Sequence, residues 1–449
     1  MLTVEQASDR AVDLVTRARR AGADASDVFY SGEAATQVSM RLGALEDVER
    51  SESEDISVRV FVGKRSASAS TADFSPAALT ALAERVVAMA QEAPEDAFAG
   101  LAPEALLLTE ALPKLDLDDG ANVSPQRLRE QALIAEDAAR SVRGVTNSQG
   151  AGASAGRTIR ALATSHGFVG AYSGSSHSLS ASVIAGDGDG DGMERDYAHH
   201  SARYLKDLEG AARIGKLAGE RAVMRLNPVK LKSGPVTVVF DPRVGSSLLG
   251  HFGSAISGSA IARKTSFLLE MLGKSIFPAG ISVIDDPLRL RGIGSRPFDG
   301  EGLAKKVTHI IDEGILTGWL LDSASARQLG TLPTGHATRG SGAPSVGTSN
   351  VHMTAGTLSP AELMADIKNG IYVTDLIGMG VNGLTGDYSR GASGFVIENG
   401  EMKGPVAEVT IAGNLLDMFA NLSAANDLEF RYSNNVPTIR IDGMTLAGD

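Results

Sequence analysis

Helix-like and strand-like periodicities do not alternate regularly along this chain, and that order constrains its fold more than any other feature. A doubly wound α/β domain needs a helix between successive parallel strands. Here an amphipathic segment at the N-terminus is followed by three strand-like runs, DVFYSG, ATQVSMRL and ISVRVFV, before the next helical pattern. The first helix has Thr3 and Gln6 at capping-box spacing, Ala7, Ala11, Leu14 and Ala18 on one face, and Gly22 as its stop. Ser75-Pro76 opens a second helix with the stripe Leu79, Leu82, Val86 and Met89. A third helix is expected over about 125–141, strands around 143–148, 157–164 and 168–185, and a long helix over about 202–225. The segment NPVKLKSG then reads as a linker. Beyond it come an apolar strand, PVTVVF, a helix opened by Asp241-Pro242, a hairpin turning at 312–314, and a helix from Ser359 through Lys368 capped by Ser359 and Glu362. The remainder reads almost wholly as strands. The predicted class is α+β in two domains: residues 1–226, a mixed sheet with helices, and residues 235–449, strand-rich with a few helices.

With 449 residues, the chain exceeds what one ordinary core holds. It contains no cysteine, which removes disulfides, thiolate nucleophiles and zinc sites that need a Cys ligand. A net charge of −12 without a Lys/Arg cluster to offset it argues against a nucleic-acid-binding surface. No apolar run approaches the ~18 residues of a membrane span, and the first helix lacks the continuous apolar core of a signal peptide. A cytoplasmic location with no membrane partner is the expectation.

The run from Asp187 to Gly192, alternating Asp and Gly, matches the first half of an EF-hand loop. Position 12 would fall on Ala198, which offers no side-chain oxygen, and the preceding residues alternate like a strand. A hairpin tip accounts for the repeat better than a calcium loop. The adjacent His199 and His200 diverge on any regular element and make a poor ligand pair. In the segment following Asp241-Pro242, Leu248, Leu249, Phe252 and Ile256 form a core stripe. His251 lies off that stripe and reads as exposed. The carboxylate pairs Asp285-Asp286 and Asp299/Glu301 sit in turn-like surroundings and could divide acid and base roles only if their environments separate their pKa values. The Gly-rich stretch 334–348, with His336, Arg339 and Gly342, is expected to line a groove.

Several strings together resemble the TldD/PmbA family, also called modulator of DNA gyrase, and its PmbA (TldE) branch. They are SSLLGHFGSAISG, ARKTSFLLEMLGKSIFP, SRPFDGEG, DEGILTGWLLDSASARQLG, TGDYSRGASGFVIENGE and EVTIAGNLLDMF. The resemblance implies a cytoplasmic metalloprotease of two related subunits, one of which carries a HExxxH zinc motif and a later Cys ligand. Aligning that motif here places Gly250 and Ala255 at its two His positions and His251 at its Glu. The resemblance therefore implies no catalytic residue and no metal in this chain, with zinc in a TldD-like HExxxH partner. His251, Asp299, Glu301, His336, Arg339 and Gly342 become candidates for lining a peptide channel. Implied partners are that subunit in a heterodimer, an extended or unfolded peptide, and a second copy of this chain when it is alone, with the DYSRGASGFVIENGE and AGNLLDMF region at the interface. Leader-peptide removal and proteolysis of unstructured proteins are the implied processes. Two alternatives remain: a self-sufficient hydrolase in which His251, Asp299 or Glu301 supports a metal, and a protein-binding regulator of DNA gyrase.

Overall fold

The computed structural model describes residues 1–186 and 192–448. The mixed α+β class holds: among the described residues, two six-stranded sheets, a smaller five-stranded sheet and a two-stranded ribbon are interleaved with helices. The Asp-Gly repeat at 187–191, with the calcium and hairpin-tip readings attached to it, lies outside the described residues.

The first sheet has the order β3-β2-β1-β4-β5-β6. Its strands are β1 (Ala25–Arg41), β2 (Ala44–Val62), β3 (Arg65–Thr71), β4 (Val145–Thr164), β5 (Val169–Ala185) and β6 (Glu194–Ala202). All neighbouring pairs are antiparallel. The two runs expected at 27–32 and 35–42 fall in one strand that ends at Arg41, and those expected at 143–148 and 157–164 fall in another. Glycines that read as breaks instead mark close approaches within the ladder. A Cβ at Gly32 would lie 2.5 Å from the Tyr30 hydroxyl, and one at Gly156 3.1 Å from Ser176 Oγ.

Residue parity separates the faces of this sheet. Val28, Tyr30, Val38 and Met40 of β1, with Ala151, Ala153, Ile159 and Ala161 of β4, belong to the cores beneath four helices. These are α1 (Val4–Arg20), α2 (Pro76–Glu92), α3 (Pro125–Arg140) and α4 (Ala211–Met224). The expected caps form: Gln6 N–H donates to Thr3 Oγ1 at 3.2 Å, and Ala78 N–H to Ser75 Oγ at 3.3 Å. The alternate residues Phe29 and Leu162 face the other way, against Phe298.

α4 begins at Ala211, not near 202 as its periodicity predicts. Tertiary hydrogen bonds hold the preceding residues out of the helix. Leu205 N–H donates to Asp119 Oδ2 at 2.8 Å, and the Tyr204 hydroxyl donates to Asp116. Where α4 crosses α3, a Cβ on Gly215 would stand 1.9 Å from the Ala135 carbonyl oxygen. Gly215→Ala should therefore cost about 1–3 kcal/mol by overpacking, although alanine favours an isolated helix by roughly 1 kcal/mol. Chemical denaturation measures this, and a stabilised variant would contradict the packing described.

The second half supplies β7 (Gly234–Phe240), then α5 (Pro242–Ala255) and α6 (Gly258–Ala262). Short strands follow: β8 (Val283–Asp285), β9 (Thr308–Asp312) and β10 (Ile315–Leu316). After α7 (Ser323–Gln328) come the ribbon β11 (Ala337–Thr338) and β12 (Ser345–Val346), then β13 (Val351–Met353). α8 (Pro360–Met364) has the expected Ser359/Glu362 capping box but ends before Lys368. Ile367 and Lys368 instead receive the backbone amides of Gly400 and Asn399. The last elements are β14 (Asn369–Val381), β15 (Asp387–Glu398), β16 (Glu401–Asn414), α9 (Leu415–Ala420), β17 (Leu422–Ala424), β18 (Asn434–Asn435) and β19 (Ile439–Ala447). β7 lies inside the second large sheet, parallel to β14 and antiparallel to β19. Leu248, Leu249 and Phe252 of α5 enter the core of this half. α9 buries Leu415, Met418 and Phe419 in the same core, so three of the eight residues of AGNLLDMF face inward.

Arginines of the second half reach into the first. Arg243 pairs with Asp196 at 2.8 Å, and Arg291 with Asp116 at 2.7 Å. Arg327 donates to the carbonyls of Phe98, Gly100 and Leu101 at 2.7–2.9 Å.

Candidate functional site and family membership

α5 starts where β7 ends because Asp241 caps it, accepting from Arg243 N–H at 3.0 Å, and Pro242 occupies its first turn. This helix carries the three positions of the degenerate zinc motif. Gly250 is exposed, and a Cβ there would meet nothing within 4 Å; the same open space lies above Gly253. Ala255 is buried in the core.

His251 is not the freely exposed residue that its place off the apolar stripe suggests. It is half-buried, with its ring edge-to-face to Tyr388 at a centroid distance of 6.2 Å. Tyr388 of β15 reaches this part of α5, and helical periodicity cannot register a side chain arriving from more than a hundred residues away. Burial lowers the His251 pKa, and the nearby Arg390 lowers it further, so the imidazole is held neutral. Its Nε2 and the Tyr388 hydroxyl are both shielded from solvent without a hydrogen-bond partner among the described residues. Burial also pushes the Tyr388 phenol up to about 12.

This environment does not fit zinc. A zinc site needs at least three protein ligands, usually with a carboxylate or second imidazole among them. His251 instead faces a neutral phenol and a cation. Among the described residues, no group of three or more His, Asp or Glu is placed to hold a metal ion.

Four of the other sequence-selected residues, Asp299, Glu301, His336 and Arg339, have buried side chains in a separate region. Asp299 organises its own turn: its Oδ1 accepts from the amides of Glu301 (2.9 Å) and Leu303 (2.8 Å), and its Oδ2 from Ala337 N–H at 3.2 Å. Glu301 leaves that turn and meets the start of α7, accepting from Ser323 N–H at 2.8 Å and Ser323 Oγ at 2.7 Å. Burial raises both carboxyl pKa values, that of Glu301 to about 7 with a further contribution from Asp299. Turn chemistry thus accounts for Asp299 but not for Glu301. His336 is 2% exposed, between Thr334 Oγ1 at 2.9 Å and Asp285 Oδ2 at 3.5 Å. Glu301 and His336 face inward, and Asp299, although buried, contributes to the wall of a cavity beside the first sheet. Gly342, in contrast, is exposed with open space around it.

Arg339 reaches across to the first sheet and pairs with Asp27, which Arg59 holds from the other side at an Nε to Oδ2 distance of 3.0 Å. Burial alone would raise the Asp27 pKa, but the two guanidiniums outweigh it and hold the carboxyl at about 2. Sequence reasoning missed Asp27, Arg59, Tyr388 and Arg390. The last two stand in the string DYSRG, whereas the first two carry no local signal at all.

Comparison with known proteins agrees with this architecture. Residues 26–90, 118–226 and 233–448 match, in turn, domain 1, the central domain and the C-terminal domain of the PmbA/TldA metallopeptidases. The boundary between the first two matches falls within the first sheet, whose strands come from both. The chain is 38% identical to metalloprotease PmbA of Escherichia coli O157:H7, over 99% of this chain and 96% of that protein. It is 37% identical to the Haemophilus influenzae PmbA homologue, over 99% and 96%. A Bacteroides thetaiotaomicron protein described as a candidate modulator of DNA gyrase superposes with a TM-score of 0.91 at 29% identity, covering 100% of both chains. TldE of Thermococcus kodakarensis shares the fold, with a TM-score of 0.85 at 22% identity over 98% of this chain and 100% of that one. A three-part match that runs from the first sheet to the last strand, together with 38% identity to the Escherichia coli protein over nearly the whole chain, places the chain in the PmbA/TldD metallopeptidase family.

Proposed function

We propose that this chain is the non-catalytic, substrate-handling subunit of a TldD/TldE-type metalloprotease acting on extended or unfolded peptides. The observation that carries the proposal is the surroundings of α5. Where the motif requires two imidazoles and a carboxylate, the chain has Gly250, a neutral His251 beside Arg390, and the buried Ala255. The hydrolytic chemistry then belongs to a zinc-bearing HExxxH partner. This subunit contributes the open helix face at Gly250 and Gly253, where a peptide backbone can approach without meeting a side chain.

Assembly with that partner has a candidate surface beside DYSRG. Ile377 and Met379 at the end of β14 and Leu384 on the β14–β15 connection are 62%, 87% and 57% exposed, an unusual concentration of large apolar groups for an isolated surface. The proposed heterodimer, and a homodimer of the chain alone, would cover them.

His251→Ala tests the division of labour. In the complex reconstituted with the HExxxH subunit, peptide cleavage should stay within a few-fold of wild type, whereas loss of a general base or metal ligand costs ~100-fold or more. The chain purified alone should carry no stoichiometric zinc. Abolished turnover with zinc still bound to the partner, or one chelator-resistant zinc on this chain, would reject the proposal.

A further inference from the structure

The outer face of the first sheet, opposite its four helices, bounds a cavity of about 300 Å³ closed by residues 293–300 and Arg339. Four arginines line it: Arg160, Arg203, Arg296 and Arg339. Phe29, Tyr172 and Phe298 form an apolar wall, with Tyr172 and Phe298 edge-to-face at 5.5 Å.

The positive charge here is poorly matched. Arg203 spends its donors on two neutral carbonyls, Ser175 O at 3.2 Å and Ile293 O at 2.6 Å, while its Nε has no partner among the described residues. Arg296 donates to Thr348 O at 2.9 Å, and Arg160 to the Ser31 hydroxyl. Arg339 gives Nη2 to Asp27, but its Nε and Nη1 are buried without a partner among the described residues, and its side chain is only 2% exposed. Among the described residues, the one carboxylate on the wall is Asp299, and both its oxygens are occupied by backbone amides. Two others nearby are committed, and a third, Asp55, is not: its Oδ2 has no hydrogen-bond partner among the described residues. Asp27 is shared by two arginines, and Asp118 pairs with Arg157 at 2.8 Å. Asp55 acts on Arg160 only through space.

Unpaired guanidinium donors in a half-enclosed space are costly unless an anion meets them. Arginine's planar fork suits a carboxylate or a phosphate, and neither ligand can be told from the other by the cations alone. The aromatic wall distinguishes them, because a bare inorganic ion gains nothing from it. The volume lies at the small end of ligand pockets. We propose that this cavity binds a small organic carboxylate, its acid group among the four arginines and its apolar body against Tyr172 and Phe298. The site lies within this one chain and does not depend on the peptidase reading.

Calorimetry on the full-length chain alone tests this with three probes: N-acetylphenylalanine, its carboxamide, and inorganic phosphate. The acid should bind one per chain, and the carboxamide about 10- to 100-fold more weakly, as expected for losing a charge-assisted hydrogen-bonded group. Arg160→Gln and Arg296→Gln, made singly, should each weaken the acid by about tenfold or more. Arg296→Gln should not lower the melting temperature of the unliganded chain, because it relieves uncompensated charge; a purely structural arginine would lower it. The proposal is overturned if the acid shows no saturable binding up to ~10 mM. It is also overturned if the carboxamide binds equally well, if phosphate binds more tightly than the acid, or if both variants retain full affinity.

Discussion

Arg339→Ala is expected to destabilise the protein by about 3–5 kcal/mol, the usual cost of breaking a buried ion pair from one side. Asp27 is 2% exposed and ionised, with one oxygen facing Arg59 and the other facing Arg339. Removing Arg339 leaves that second oxygen in a low-dielectric space without its cation. Because Arg59 remains, the lower end of the range is the expected value. The pair also spans the two halves of the chain, so the variant should loosen the contact between the first sheet and residues 293–300. Urea denaturation gives the magnitude, and hydrogen exchange at β1 and at residues 293–300 gives the location. A loss below ~1 kcal/mol would mean that Arg59 alone satisfies Asp27, as for an exposed pair. The pH dependence has a definite sign. The folded pKa is depressed to about 2, so the stabilisation is present above the ordinary carboxyl value of 3.8 and is lost as pH falls through 2.

Glu301 should act in the opposite direction and in a more accessible range. Its folded pKa is raised from 4.5 to about 7, chiefly by burial and then by Asp299. The folded protein binds this proton more tightly than the unfolded chain does. The associated stability is complete below pH 4.5 and falls as pH rises through about 7, by up to about 3 kcal/mol for a shift of this size. Glu301→Gln retains an acceptor for Ser323 and removes the titration. The variant should match wild type near pH 5 and exceed it by roughly 1–3 kcal/mol at pH 8. Asp299 titrates in the same direction, so the difference between the proteins, not the wild-type slope alone, isolates Glu301. Denaturation midpoints at the two pH values decide it. An unchanged difference between pH 5 and pH 8 would place the titrating proton elsewhere.

Determinants that act within a few residues were legible in the sequence. The caps at Thr3/Gln6, Ser75-Pro76, Asp241-Pro242 and Ser359/Glu362 all start helices where their spacing predicts. A cap is a bond between a side chain and an amide two or three positions away, so no distant residue is needed to form it. The α+β class followed from the order of periodic segments, and the family from strings concentrated around α5 and β15. The substitution of Gly250 and Ala255 into the zinc motif was equally plain, because an absent side chain is absent in any fold.

Tertiary structure decided the rest. It carried β1 and β4 straight through their glycines and held residues 203–208 out of α4 by hydrogen bonds to Asp116 and Asp119. It turned His251 from an exposed helical residue into a neutral imidazole against Tyr388. It withdrew Asp299, Glu301 and His336 into the interior and joined Asp27 to Arg339 across a separation of 312 residues. Desolvation and ion pairing depend on what surrounds a group in space. Local sequence supplies the group, and only the closed fold supplies the surroundings.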